Sequence, residues 1–122
     1  MQTAFSFKNV SALEQAQFEE YVAGKLAQIE KLLTHFSPDA VRLELRLEKF
    51  DKHSAFLVEY ILRANSDTLK ASETSHAITK AVDLAKDRLE LQIKKMTEQS
   101  RRNHRGIKAH TLITAEEEVM EL

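Results

Sequence analysis

The stretch KKMTEQSRRNHRGIK, residues 94–108, holds six lysines and arginines and a single acid, Glu98, in a chain whose formal net charge is -1. Clustered ammonium and guanidinium groups do one kind of chemistry well: they hold phosphate oxygens by charge-assisted hydrogen bonds. No other group of residues offers a comparable chemistry. The histidines, His35, His53, His76, His104 and His110, show neither an HxH nor an HExxH spacing, so no metal site is expected. The chain has no cysteine, which removes disulfides and thiolate metal sites. There is no glycine-rich phosphate loop and no nucleophile elbow, and Glu90 and Glu98 each have bases four residues before and after, as on a solvated helix. No catalytic residue, cofactor or small-molecule substrate is expected. The chain reads as a binding protein rather than an enzyme.

Hydrophobic spacing defines the elements that must position those charges. Phe5 and Phe7 alternate with Ala4, Ser6 and Lys8, a short half-buried strand. Ser11 then stands three residues before Glu14, the spacing of a capping box that opens a helix. Phe18, Val22, Leu26, Ile29, Leu33 and Phe36 follow at helical spacing, and Pro38 is expected to stop that helix. In residues 41–49, Val41, Leu43, Leu45 and Leu47 alternate with Arg42, Glu44, Arg46 and Glu48, giving one buried face and one mixed-charge face. Residues 49–54 read as a turn, and residues 55–64 as a second strand with Phe56, Val58, Tyr60 and Leu62 on one side. Residues 65–67 are rich in turn formers, and 68–73 form a third, shorter strand of the meander. From Ser75 the helical period returns. Ile78, Val82, Ala85, Leu89, Ile93 and Met96 make the buried stripe of a long helix expected to end near Gly106.

The order β-α-β-β-β-α predicts an α+β two-layer sandwich, a four-stranded sheet with both helices on one face, dsRBD-like in build. The strand–helix–strand opening implies a parallel pair joined by a right-handed crossover, and the meander is antiparallel. At 122 residues the chain is one domain, spanning residues 1–105, followed by an acidic and flexible tail at 106–122. No apolar run is long enough to cross a bilayer, and MQTAFSFKNV lacks the basic and apolar regions of a signal peptide. A cytoplasmic monomer is expected.

Residues 75–105 carry eight bases against four acids. At 100° per residue, Lys80, Arg88, Lys94, Lys95, Arg101 and Arg102 fall away from the apolar stripe, and the first helix adds Lys25 and Lys31. A charged helix face is often only solvated. Here the imbalance continues past the packed part of the helix, where nothing structural demands it, which suits a phosphate backbone. RNA fits best, because its wide shallow groove is read by shape and phosphate contacts. The Arg-Glu-Arg-Glu face of the sheet offers no aromatic platform, so stacking on single-stranded bases is not expected. Leu84 and Leu91, seven apart, point opposite the stripe. They pack on a neighbouring helix, lie exposed, or belong to a partner interface.

These residues together resemble the bacterial ribosome hibernation factors, the family of Y-protein, ribosome-associated inhibitor and short-form hibernation-promoting factor, also called sigma-54 modulation proteins. YVAGKLAQIEK at 21–31 is similar to the family's first helix. KASETSHAITKAVDLAKDRLELQIKKM at 70–96 is similar to its last strand and second helix. The resemblance covers about residues 2–105, and the tail is similar to that of the Y-protein branch.

The resemblance implies a translation inhibitor that acts under stress or in stationary phase. It would bind the small ribosomal subunit through ribosomal RNA phosphates, between head and body, over the messenger and tRNA sites. Lys25, Lys31, Arg88 and Lys95 match family contact positions; Lys80, Lys94, Arg101 and Arg102 extend the rRNA-binding set from the charge pattern. Leu91 and Gln28 stand where the family has bases, and His76-Ala77-Ile78-Thr79 replaces its usual acidic, apolar and tyrosine residues. The long-form members' second, dimerising domain is not expected here. In the Y-protein branch the tail enters the messenger path and opposes ribosome pairing, which implies action on single ribosomes. Off the ribosome, this tail either folds back on the basic ridge or stays disordered. Two other readings compete: a double-stranded RNA-binding module with no ribosome specificity, and an interaction protein that dimerises through Leu84 and Leu91.

Overall fold

The computed structural model describes residues 1–109, with side chains through Gln99. Strand β1 (Gln2–Lys8) leads into helix α1 (Ala12–Lys31), and a short 3-10 turn (Pro38–Ala40) precedes β2 (Val41–Phe50). Then come β3 (Ala55–Ala64), β4 (Asp67–Ser75) and helix α2 (Ile78–Ala109). The sheet order is β1-β2-β3-β4, with β1 parallel to β2 and the other two pairs antiparallel. This is the expected β-α-β-β-β-α sandwich.

The alternation in β2 decides which face is buried. Val41, Leu43, Leu45 and Leu47 are buried, and the register carries their rows across the sheet. Phe5, Leu45, Tyr60 and Ala71 form one such row; Phe7, Leu47, Val58 and Glu73 form the next. Both helices cover this face. Phe18 of α1 meets Phe5 and Phe7 edge-on at 6.1 and 6.0 Å between ring centroids. Val82, Ala85, Leu89 and Ile93 of α2 are fully buried in the same core. Tyr60 is completely enclosed, and its Oη reaches the Val82 carbonyl at 3.5 Å.

The opposite face of the sheet is a lattice of ion pairs. Arg63 meets Glu44 at 3.2 Å, and Arg46 meets both Glu44 and Glu59 at 3.4 Å. Ile61, on this outer face between Glu44 and Lys70 in register, is nonetheless only 3% exposed. Long charged side chains shield apolar surface with their stems.

Both helix ends differ from expectation. Helix α1 stops at Lys31, well before Pro38, because the backbone tightens there: Leu32 N–H bonds the Ile29 carbonyl and Leu33 N–H that of Glu30. Such three-residue bonds unwind a last turn. Leu33 and Phe36 still reach the core, but from a turn. Helix α2 runs through Gly106 to Ala109. A glycine inside a helix costs only about 1 kcal/mol relative to alanine, so it does not by itself end one. The turn after β2 is also shorter than expected, since Lys49 and Phe50 pair within the strand. Residues 110–122, most of the expected acidic tail, lie outside the described residues.

Candidate nucleic-acid interface

The inner side of α2 is fixed by its apolar stripe, so the side chains between successive core positions are left facing outward. Lys80, Lys94 and Lys95 are exposed there, as is Lys31 at the end of α1. Among the described residues none of these four lysines makes an ion pair. They stand ready for an anion. The backbone of α2 carries Arg101 and Arg102 on the same helix, with side chains outside the description.

Two expected contact residues are already engaged within the fold. Arg88 pairs with Glu73, the residue that ends an inward-facing row of the sheet on its β4 edge. Lys25 lies 3.6 Å from Asp83 and 5.0 Å from the centre of the Tyr21 ring. Tyr21 Oη donates to Asp83 at 2.7 Å, so one carboxylate of α2 holds two side chains of α1. The hydrogen bond to Asp83 pushes the Tyr21 hydroxyl above its usual value, and the Asp83 charge pushes Lys25 up. Lys25 therefore keeps its proton and presents its charge with an acid beside it.

Lys86, which the helical spacing leaves out of the outward set, is buried on the flank of α2 and paired with Glu90 at 3.1 Å and Asp87 at 3.7 Å. Its position four residues before Glu90 was the available signal. Lys86 thus contributes little to the outward charge. Leu84 and Leu91, by contrast, lie in the open, 39% and 66% exposed.

A groove of about 480 Å³ runs between the helices, lined by Gln17, Glu20, Tyr21, Gly24, Lys25 and Thr79. Gly24 is exposed within α1, and a Cβ built there would meet nothing within 4 Å. Packing does not require glycine at this position, although a helix interior disfavours it. Close approach of a partner's backbone would.

The family model described as sigma 54 modulation protein / S30EA ribosomal protein matches residues 4–101. The chain belongs to that family. Among solved structures, the fold is similar to the N-terminal domain of Thermus thermophilus Protein Y, with a TM-score of 0.61 at 21% identity. That match covers 79% of this chain and 99% of the other. It is also similar to a ribosomal subunit interface protein from Coxiella burnetii, with a TM-score of 0.54 at 20% identity, over 80% of this chain and 99% of that one. No curated protein is a significant sequence match. Among the described residues no helix is long and apolar enough to cross a membrane.

Proposed function

We propose that this chain is a ribosome-associated translation inhibitor of the hibernation type. It binds the small ribosomal subunit through ribosomal RNA phosphates and occludes the messenger and tRNA sites under stress or in stationary phase. It acts as a monomer in the cytoplasm, and on single ribosomes. Membership of a family described as S30EA ribosomal protein, over residues 4–101, is the observation that carries this reading. The site geometry supports it: Lys80, Lys94 and Lys95, without ion pairs among the described residues, stand on one outward helix side of a nearly neutral chain, with Lys31 exposed at the end of the other helix. Arg101 and Arg102 extend the same helix. Arg88 and Lys25 contribute by turning from Glu73 and Asp83 toward the RNA.

Co-sedimentation with purified small subunits over a salt series tests the proposal. Each lysine or arginine that neutralises a phosphate releases counterions, so with roughly six contacts the affinity falls about 10³-fold between roughly 50 and 200 mM salt. Lys80→Ala, Lys94→Ala and Lys95→Ala each lower the slope of log affinity against log salt by about 1, while stability changes by less than about 0.5 kcal/mol. Absence of co-sedimentation at low salt, or a flat salt response, overturns the proposal.

A further inference from the structure

Another cavity, of about 540 Å³, opens where α1 ends, within the range of roughly 300–1,000 Å³ common to small-molecule sites. The early stop of α1 makes it. The tight bonds at Leu32 and Leu33, and a third from Phe36 N–H to the Leu33 carbonyl, turn the chain away from the helix axis toward β2. Ala27, Leu33, Phe36, Pro38 and Val41 give the cavity apolar walls, and Glu30, Lys31 and Thr34 stand at it as polar groups. Leu33 and Val41 are buried and Phe36 is half-buried, while the three polar residues are exposed.

An apolar slot with an aromatic wall and a polar mouth suits a flat heterocycle. The outer face of the sheet offers no aromatic platform, but this site has Phe36, with the His35 ring against it at 4.3 Å between centroids. Lys31 makes no ion pair among the described residues and can hold a phosphate at the mouth. The Glu30 carboxylate only accepts hydrogen bonds, and its one ion pair among the described residues is with the Met1 amine, at 4.0 Å. Two carboxylate oxygens match a base edge that carries two adjacent donors. Guanine has that edge, with N1–H beside the N2 amino group. Adenine and cytosine set a ring lone pair next to their amino group, and uracil offers a single N–H. The Thr34 hydroxyl can donate to the guanine O6. An apolar protein side chain would fill the walls and leave Glu30 and Lys31 without a role, so RNA fits better than protein.

We propose that this cavity takes an unpaired guanine nucleotide of the bound RNA, with its ring on Phe36, its N1–H and N2–H donating to Glu30 and its phosphate on Lys31. This deepens the ribosome-binding reading and rests on it for the source of the nucleotide.

Titration of the full chain with guanosine monophosphate, followed by nuclear magnetic resonance, tests the site without ribosomes. Saturable shifts are expected at Leu33, Thr34, Phe36 and Val41. Adenosine monophosphate is expected to bind roughly fivefold or more weakly, the low end of what a bidentate base contact discriminates. Glu30→Gln, whose amide cannot accept two N–H groups, is expected to erase that preference. Ala27 is exposed on α1, so Ala27→Trp fills the cavity without entering the core and is expected to abolish the shifts with circular dichroism unchanged. Absence of saturable shifts overturns the site. So does equal binding of the two nucleotides, or the same shifts from inorganic phosphate alone. On small subunits, kethoxal, which adds across N1 and N2 of unpaired guanines, reads the same contact. At least one guanine is expected to be protected by the wild-type chain and reactive again under saturating Ala27→Trp. A variant that binds more weakly yet frees no guanine assigns the cavity to a protein contact and overturns the proposal. A chain that binds no subunits in any form refutes the ribosome reading, and the nucleotide titration still decides the site.

Discussion

Asp83 joins the two helices and at the same time holds Lys25, one of the proposed contact residues. Its carboxylate joins the helices through Tyr21 and Lys25, and it places a negative charge beside the groove. Asp83→Ala is therefore expected to lower the melting temperature, because Tyr21 loses its acceptor, and to raise ribosome affinity at low salt by freeing Lys25. Thermal melts and co-sedimentation on the same variant separate the two effects; a loss in both would show that Asp83 positions Lys25 for contact instead of restraining it. Arg88 carries a similar double duty toward β4. Reversing its charge sets two carboxylates together at Glu73, so Arg88→Gln is the cleaner probe of binding.

Each helix carries a testable feature at the scale of the element. In α1 the Ser11 hydroxyl accepts from Glu14 N–H at 3.1 Å, and the Glu14 carboxylate accepts from Ser11 N–H at 2.8 Å. That backbone hydrogen bond holds the Glu14 carboxyl below its usual value, and the Arg63 guanidinium does the same for Glu44 on the outer face of the sheet. A carboxyl whose folded value lies below its unfolded value is stabilising when ionised. The stabilisation is thus present above pH 4.5 and is lost as the pH falls through the folded values. Melting temperature is expected to drop below pH 4.5, and Glu14→Gln with Glu44→Gln to flatten that acid limb; an unchanged limb would assign the acid sensitivity to other groups. Further along α1, Gly24→Ala is expected to stabilise the fold by about 0.5–1 kcal/mol, since the new methyl meets nothing and a helix interior favours alanine. Gly24→Phe keeps the fold but fills the groove and weakens ribosome binding. Wild-type affinity for that variant would remove the groove from the interface.

For the whole molecule, charge is segregated by face. The outer side of the sheet neutralises itself through Glu44, Arg46, Glu59 and Arg63, while the outward side of α2 leaves Lys80, Lys94 and Lys95 without partners among the described residues. RNA is thus expected to meet the helical layer, not the sheet. A shaped site that engages both helices at once also discriminates between RNAs. Free duplex RNA is expected to displace the protein from small subunits only at a large excess. Equal competition by duplex and subunit, measured per phosphate, would make the chain a general double-stranded RNA binder.

Local patterns sufficed for the elements and their order. The strict alternation from Val41 to Glu48 can bury its leucines only as a strand, and the stripe from Ile78 to Ile93 only as a helix, because those side-chain periods are fixed by backbone geometry. From the order followed the parallel first pair and the single helical layer, since handed crossovers and apolar faces leave few arrangements. The outward side of α2 was legible for the same reason, and with it Lys80, Lys94 and Lys95. Element ends were less so: α1 stops at Lys31 through a local tightening of hydrogen bonds, and α2 passes Gly106 because one glycine costs less than a long helix gains. Which bases remain available was not local at all. Arg88 of α2 meets Glu73 fifteen residues earlier on strand β4, and Lys25 meets Asp83 on the opposite helix, pairings set by register and by the approach of the two helices. A side chain's charge is written in its type, but its partner is chosen by whatever the folded chain brings within reach.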